Sequence, residues 1–114
     1  MNRFFRRFGY AGKGLRTAFS EQFNLKVHTL VAIVVVAAGF HFNLTSDEWL
    51  AIIIVIGAVI TAELVNTSIE YVVDLVSPAH SPLAGKIKDI AAAAVLIATI
   101  TACTVGVVVF GKYL

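Results

Sequence analysis

The sequence WLAIIIVIGAVITA (residues 49–62) runs with no turn residue into ELVNTSIEYVVD (residues 63–74), and these two pieces decide the architecture. The first is apolar enough to enter a membrane, and the second carries Glu63, Glu70 and Asp74. With nothing to end a helix between them, one helix is expected to pass from hydrocarbon into a polar zone and end near Val76. Glu63, Asn66, Glu70 and Asp74 stand at i, i+3, i+7 and i+11. At about 100° per residue they fall in one narrow stripe, so three carboxylates and an amide share a face.

Composition sets the surroundings of that helix. The 114 residues are 59% hydrophobic and only 14% charged, with a mean hydropathy of +0.88. A soluble domain runs near about 45–50% apolar and about 25% charged. One this small keeps much of its surface wet and could not hide so much Val, Ile, Ala and Leu. Two prolines and one cysteine exclude collagen-like, disordered and disulfide-stapled classes. Cys103, alone in an apolar run, reads as a small buried hydrophobe. The chain is therefore read as one integral membrane domain, residues 1–114, all α.

Two further apolar runs flank the first. Val27–Phe42 is interrupted only by His28, Thr29 and His41, and Ile90–Phe110 carries no charge. The latter alone suffices to cross a hydrocarbon core of about 30 Å at about 1.5 Å per residue. The shorter two span only if polar neighbours enter the membrane within a helix bundle. Three membrane helices are expected, at about residues 27–42, 48–76 and 86–110. Between the first two, Thr45 or Ser46 caps the second helix, with Asp47 and Glu48 favouring its N-terminus. The second connection, Ser77-Pro78-Ala79-His80-Ser81-Pro82, holds both prolines and stops any helix before it.

Charge orients the spans. Arg3, Arg6, Arg7, Lys13, Arg16 and Lys26 precede the first, and Lys86 and Lys88 lie in the second connection; only Lys112 falls on the other side. The positive-inside rule then puts the N-terminus and the second connection in the cytoplasm and the C-terminus outside. Within residues 1–26, Phe5, Phe8, Leu15 and Phe19 recur at near-helical spacing with Arg6, Lys13 and Arg16 between them. That is the pattern of an amphipathic helix lying in the interface. A cleaved signal peptide fits poorly, because the basic region is long and no small-residue cleavage site follows the apolar run.

Carboxylates at membrane depth repel one another and are costly, so they default to sites. A solvated face would account for Asp74, but not for Glu63 at the end of an apolar run. The stripe calls for cations, and its oxygens suit Mg²⁺, which prefers one or two carboxylates plus phosphate oxygens. Lys86 and Lys88 could be plain positive-inside anchors, but Asp89 opens an otherwise uncharged span. Lysines beside carboxylates and a metal are what phosphate binding requires. Other features carry less. Gly9, Gly12 and Gly14 around Lys13 match no phosphate-loop spacing and read as flexibility in the interfacial helix. His28, His41 and His80 have no ligand spacing. Trp49 and Tyr113 read as outer interface anchors. The run Ala91–Ala94 offers close helix packing, and three short helices cannot shelter the stripe alone, so an oligomer is expected.

Glu63-Leu64-Val65-Asn66-Thr67-Ser68-Ile69-Glu70 followed by Asp74, then Lys88-Asp89 ahead of an alanine-rich span, resembles the signature of the small prokaryotic diacylglycerol kinases. The resemblance covers nearly the whole chain. It implies a homotrimeric kinase of the bacterial inner membrane that moves the γ-phosphate of MgATP onto a lipid hydroxyl, with no nucleic-acid partner. It further implies Glu63 as general base supported by Asn66, Glu70 on Mg²⁺ together with an acid of the N-terminal helix (here Glu21), Lys88 and Asp89 on the nucleotide, and Asp74 ordering the cytoplasmic end. The spacing in Glu21-Gln22-Phe23-Asn24 aligns in more than one register. Asn24–His28 and the proline connection look like the undecaprenol kinase branch, so the acceptor stays open between diacylglycerol and a polyprenol. The residue-level reading agrees: a base beside hydrocarbon can meet an alcohol that never leaves the bilayer, and phosphoryl transfer asks mainly for positioning and charge neutralisation. The rival class is a small proton-coupled multidrug exporter using an intramembrane Glu. Three spans instead of four count against it, as do lysines that would repel a cationic cargo.

Overall fold

The computed structural model describes residues 2–114 and is all helical: α1 (Asn2–Glu21), α2 (Phe23–Phe42), α3 (Ser46–Val76) and α4 (Pro82–Gly111). Each break has a local cause. Gln22 adopts extended dihedrals and separates α1 from α2, so Asn24 and Lys26 belong to the first turns of α2. Asn43 ends α2 in the left-handed conformation at φ 54°, one of the few non-glycine residues suited to it. Thr45 then starts α3 with a capping box: its hydroxyl accepts from the Glu48 N–H at 3.3 Å, while Glu48 Oε1 accepts from the Thr45 N–H at 2.9 Å. Ser81 caps α4 through the Ala84 N–H at 3.2 Å, and Pro82 occupies the first helical position, where its missing N–H costs nothing.

Helices α2, α3 and α4 are long and apolar enough to cross a membrane. The 31 residues of α3 extend about 46 Å at about 1.5 Å per residue, well beyond a hydrocarbon core of about 30 Å. Contacts fix antiparallel neighbours. Phe42 and Trp49 share a cluster where α2 meets α3, while Gln22 Nε2 donates to Tyr71 Oη at 3.2 Å near the other end. Tyr113 meets Glu48 at one end of the α3–α4 pair, and Lys88 meets Asp74 at the other. α1 adjoins the start of α2, its buried Ala18 lines an open groove with Thr67 and Tyr71 of α3, and it runs unbroken through Gly9, Gly12 and Gly14 instead of loosening there.

The buried core lies toward the loop between α2 and α3. Ile52, Leu44 and Val109 form it, with Val35, Phe42, Trp49, Ile56, Val105, Phe110 and Tyr113 packed around. Trp49 leans on Phe40 at a ring separation of 4.9 Å and closes on Gly39. An ionic clasp binds the chain end to this core: Tyr113 Oη donates to Glu48 Oε1 at 2.6 Å, and Lys112 Nζ lies 2.7 Å from Glu48 Oε2. Hydrogen bonding to that carboxylate pushes both Lys112 and Tyr113 above their ordinary values. Much of the remaining apolar surface is exposed, including Leu30, Ile33, Ile54, Leu96, Ile97 and Val107. Cys103 is exposed too, contrary to its expected burial, because α4 covers only one of its faces in a single chain.

Candidate active site

The stripe expected on α3 is present, and it is graded by depth. Glu63 is 3% exposed and Asn66 8%; Glu70 is half-buried, and Asp74 is exposed. The gradient follows from geometry. Glu63 directly follows the apolar run, where α2 and α4 flank α3, whereas Asp74 lies close to the end of the helix beside the proline-bounded loop.

Each member has a distinct neighbour. Glu63 Oε2 lies 3.5 Å from His28 Nε2 on α2, and it is shut in without a hydrogen-bond partner among the described residues. One turn on, Asn66 Nδ2 donates to Glu70 Oε1 at 3.2 Å. That bond orients the amide so that Asn66 Oδ1 is the atom left buried and unpartnered. At the aqueous end Lys88 Nζ donates to Asp74 Oδ1 at 2.6 Å, joining α4 to α3. Thr67, buried and lining the groove between α1 and α3, is a further polar residue of this segment that the spacing did not single out.

Two expected members stand apart. Glu21 is the last residue of α1 and exposed, and Asp89 is exposed on the first turns of α4; neither makes an ion pair among the described residues. No group of three His, Cys, Asp or Glu among those residues is gathered as a metal site. The oxygens that are present still fit a hard divalent cation. An orphaned amide oxygen next to a half-buried carboxylate is a donor pair that Mg²⁺ accepts while keeping waters and phosphate oxygens as its other ligands.

His28 is the residue that sequence reasoning missed. Pattern alone does not single it out, because His28, His41 and His80 have no common spacing. Its relevance arises only when α2 folds back along α3. Its imidazole also forms one wall of an apolar cavity of about 210 Å³ between α2, α3 and α4. The site thus joins an acid beside an apolar cavity to a row of oxygens and a lysine leading toward water. Such an arrangement can take a proton from a hydroxyl held in hydrocarbon while phosphate charge is neutralised from the aqueous side.

Comparison with known proteins adds to this geometry. A family model described as prokaryotic diacylglycerol kinase matches residues 9–110. The chain is 38% identical to an undecaprenol kinase of Bacillus subtilis over 96% of this chain and 89% of that protein. It is 31% identical to a diacylglycerol kinase of Escherichia coli K12, over 82% and 77% of the two chains. A diacylglycerol kinase of Helicobacter pylori is 30% identical over 98% and 84%.

Proposed function

The chain belongs to the prokaryotic diacylglycerol kinase family, and from that membership we propose that this lipid kinase transfers the γ-phosphate of MgATP to the hydroxyl of a membrane lipid. The observation that carries the residue assignment is the graded stripe on α3: a fully buried carboxylate at Glu63, then oxygens at Asn66 and Glu70, then the Asp74–Lys88 pair at the water-facing end.

In this reading the lipid lies in the bilayer with its hydroxyl at Glu63. Glu63 takes the hydroxyl proton as the oxygen attacks the γ-phosphorus. The bond from that phosphorus to the β,γ-bridging oxygen breaks, and ADP leaves toward water. Asn66 holds Glu70 in place through their hydrogen bond. Glu70 and Asn66 Oδ1, joined by Glu21 from α1, would hold Mg²⁺, which supplies charge neutralisation to the phosphates when bound. Lys88 binds phosphate oxygens after exchanging Asp74 for them, and Asp89 engages the nucleotide beside it. Asp74 keeps the lysine ammonium at the cytoplasmic end until nucleotide arrives.

The placement in the membrane belongs to the same proposal. Residues 1–114 act as one domain of the bacterial inner membrane, with residues 1–26 in the cytoplasmic interface and the C-terminus outside. α1 presents Phe4, Phe5, Phe8, Leu15 and Phe19 outward, as an interfacial helix requires. A homotrimer covers the apolar faces that one chain leaves open and closes the site around the stripe. Exporter function finds no support, since three helices among the described residues qualify as spans and the relatives described above are kinases.

Of the two acceptors, a polyprenol is favoured by coverage: the 38% identity to an undecaprenol kinase extends over 96% of this chain and 89% of that protein, whereas an equal 38% identity to a diacylglycerol kinase of Synechocystis spans 87% of this chain and 57% of that protein. The test is transfer from γ-labelled ATP with Mg²⁺ in mixed micelles, offered diacylglycerol and undecaprenol separately. Labelled lipid phosphate from either is expected, with undecaprenol the faster. Glu63→Gln should lower the rate by about 10²–10⁴ while the oligomer still forms. Label in neither lipid from folded protein refutes the function, and a Glu63→Gln enzyme at full rate removes Glu63 as base.

A further inference from the structure

The site contains a group that this mechanism does not use. His28 Nε2 is 3.5 Å from Glu63 Oε2, and that oxygen is buried with no hydrogen-bond partner among the described residues. A carboxylate oxygen withdrawn from water needs a donor, and a buried one left without is costly. The imidazole N–H is the group within reach, and a small rotation of either side chain would bring the pair into hydrogen-bond range.

The approach of His28 to Glu63 is set by the register of α2 on α3. The break at Gln22 starts α2 afresh at Phe23, and the Gln22–Tyr71 hydrogen bond pins that start to α3. Six residues further along α2 and eight residues back along α3, an antiparallel pair brings His28 opposite Glu63, where the structure has them. Buried Leu25 anchors the turn between, and the Thr29 hydroxyl bonds back to the Leu25 carbonyl at 2.8 Å. On its other side the imidazole lines the apolar cavity with Val31, Val59, Ile60, Thr99 and Cys103. His28 therefore stands between the carboxylate and the space next to it.

We infer that His28 is a positioning residue for the phosphoryl transfer: its Nε2–H holds Glu63 Oε2, which turns the other carboxylate oxygen toward the acceptor hydroxyl. The inference rests on Glu63 being the base. It assigns the imidazole no proton transfer of its own. A carboxylate free to rotate would spend much of its time aimed away from the hydroxyl, and loss of aim at a reacting centre lowers turnover without touching nucleotide binding.

The experiment compares His28→Ala, His28→Phe and His28→Gln in the mixed-micelle kinase assay, each at equal oligomer by gel filtration. Glutamine carries an amide N–H that can reach the same oxygen, whereas phenylalanine fills the volume with no donor. Expected are a fall in kcat of about 10- to 100-fold for Ala and Phe, a Gln variant within about fivefold of the parent, and a KM for MgATP unchanged within about threefold in all three. Equal activity of the Phe and Gln variants would show that His28 only fills space and would overturn the inference, as would a KM for MgATP that climbs with the loss. If the Ala variant fails to assemble, the Phe and Gln pair decides alone. Glu63→Gln, run alongside, separates the two levels. An inactive Glu63→Gln with equal Phe and Gln variants refutes the positioning role only, whereas an active Glu63→Gln takes both readings away.

Discussion

Gly39 is the one described glycine whose replacement meets solid neighbours, which makes it a strict test of the packing between α2 and α3. A Cβ there would lie 2.6 Å from Trp49 Cη2, 3.0 Å from Cζ2 and 3.1 Å from Leu44 Cδ1. Carbon atoms prefer about 3.5–4.0 Å, so the indole edge would have to retreat by about 1 Å. The ring cannot bend, it is backed by Phe40, and Leu44 is itself buried. Overpacking of this kind costs about 1–3 kcal/mol. Alanine returns about 1 kcal/mol over glycine through helix propensity, leaving Gly39→Ala destabilising by about 0–2 kcal/mol. Because that net value is small, a double-mutant cycle is the decisive form of the experiment. Both indole atoms in the clash belong to the six-membered ring, which Trp49→Phe moves out of reach. In the Trp49→Phe background Gly39→Ala should therefore become neutral or stabilising, a coupling of about 1–3 kcal/mol. Gly12→Ala, with nothing within 4 Å of the new carbon, supplies the propensity gain alone. Unfolding by SDS in mixed micelles, followed by far-ultraviolet circular dichroism, reads all five proteins. Additivity of Gly39→Ala and Trp49→Phe within about 0.5 kcal/mol would refute the contact.

Three other predictions follow from the polar groups. Glu70→Ala should end activity or shift the Mg²⁺ titration to much higher concentration; an unchanged titration removes Glu70 from the metal site. Lys88→Met should raise the KM for MgATP by about tenfold or more, whereas Asp74→Asn should change it by less than about fivefold, since an exposed ion pair is worth no more than about 1 kcal/mol. Reversed magnitudes would show that Asp74, not Lys88, contacts nucleotide. The ionic clasp at the chain end gives a pH signature. Lys112 and Tyr113 are both pushed above their ordinary values by hydrogen bonding to Glu48, so each favours its protonated form in the folded state. Their contribution is then complete below about pH 10 and is lost as pH rises through the folded-state values. The SDS unfolding midpoint should stay flat from neutrality to about pH 10 and fall above it. Glu48→Gln should flatten that fall, and an equal fall in the variant would refute the clasp.

Much of this molecule is written locally. Ile90–Phe110 announces a span by its lack of charge, Thr45 with Glu48 announces the start of α3, and Pro82 after Ser81 the start of α4. The stripe was legible for the same reason: Glu63, Asn66, Glu70 and Asp74 share a face of any helix, whatever surrounds it. What pattern could not supply was register between helices. The pairing of His28 with Glu63 and of Gln22 with Tyr71 depends on where α2 begins, and that is fixed by one extended residue at Gln22. Cys103 shows a related limit. An apolar neighbourhood in sequence says that a residue avoids water, but not whether protein or lipid covers it. Glu21 remains the member of the expected site with least geometry behind it, since the end of α1 leaves it in the open.

The length of α3 has a consequence for the energetics of the proposed reaction. Its substrates live in immiscible phases: a lipid alcohol loses about 0.8 kcal/mol for each methylene drawn into water, on the order of 13 kcal/mol for a sixteen-carbon chain, and a nucleotide triphosphate is excluded from hydrocarbon by its charge. A helix that overshoots the hydrocarbon and carries its polar residues from buried Glu63 to exposed Asp74 on one face spares both transfers. It works as a phase-transfer device that moves neither reactant, because the boundary between the two solvents is laid along the catalyst itself.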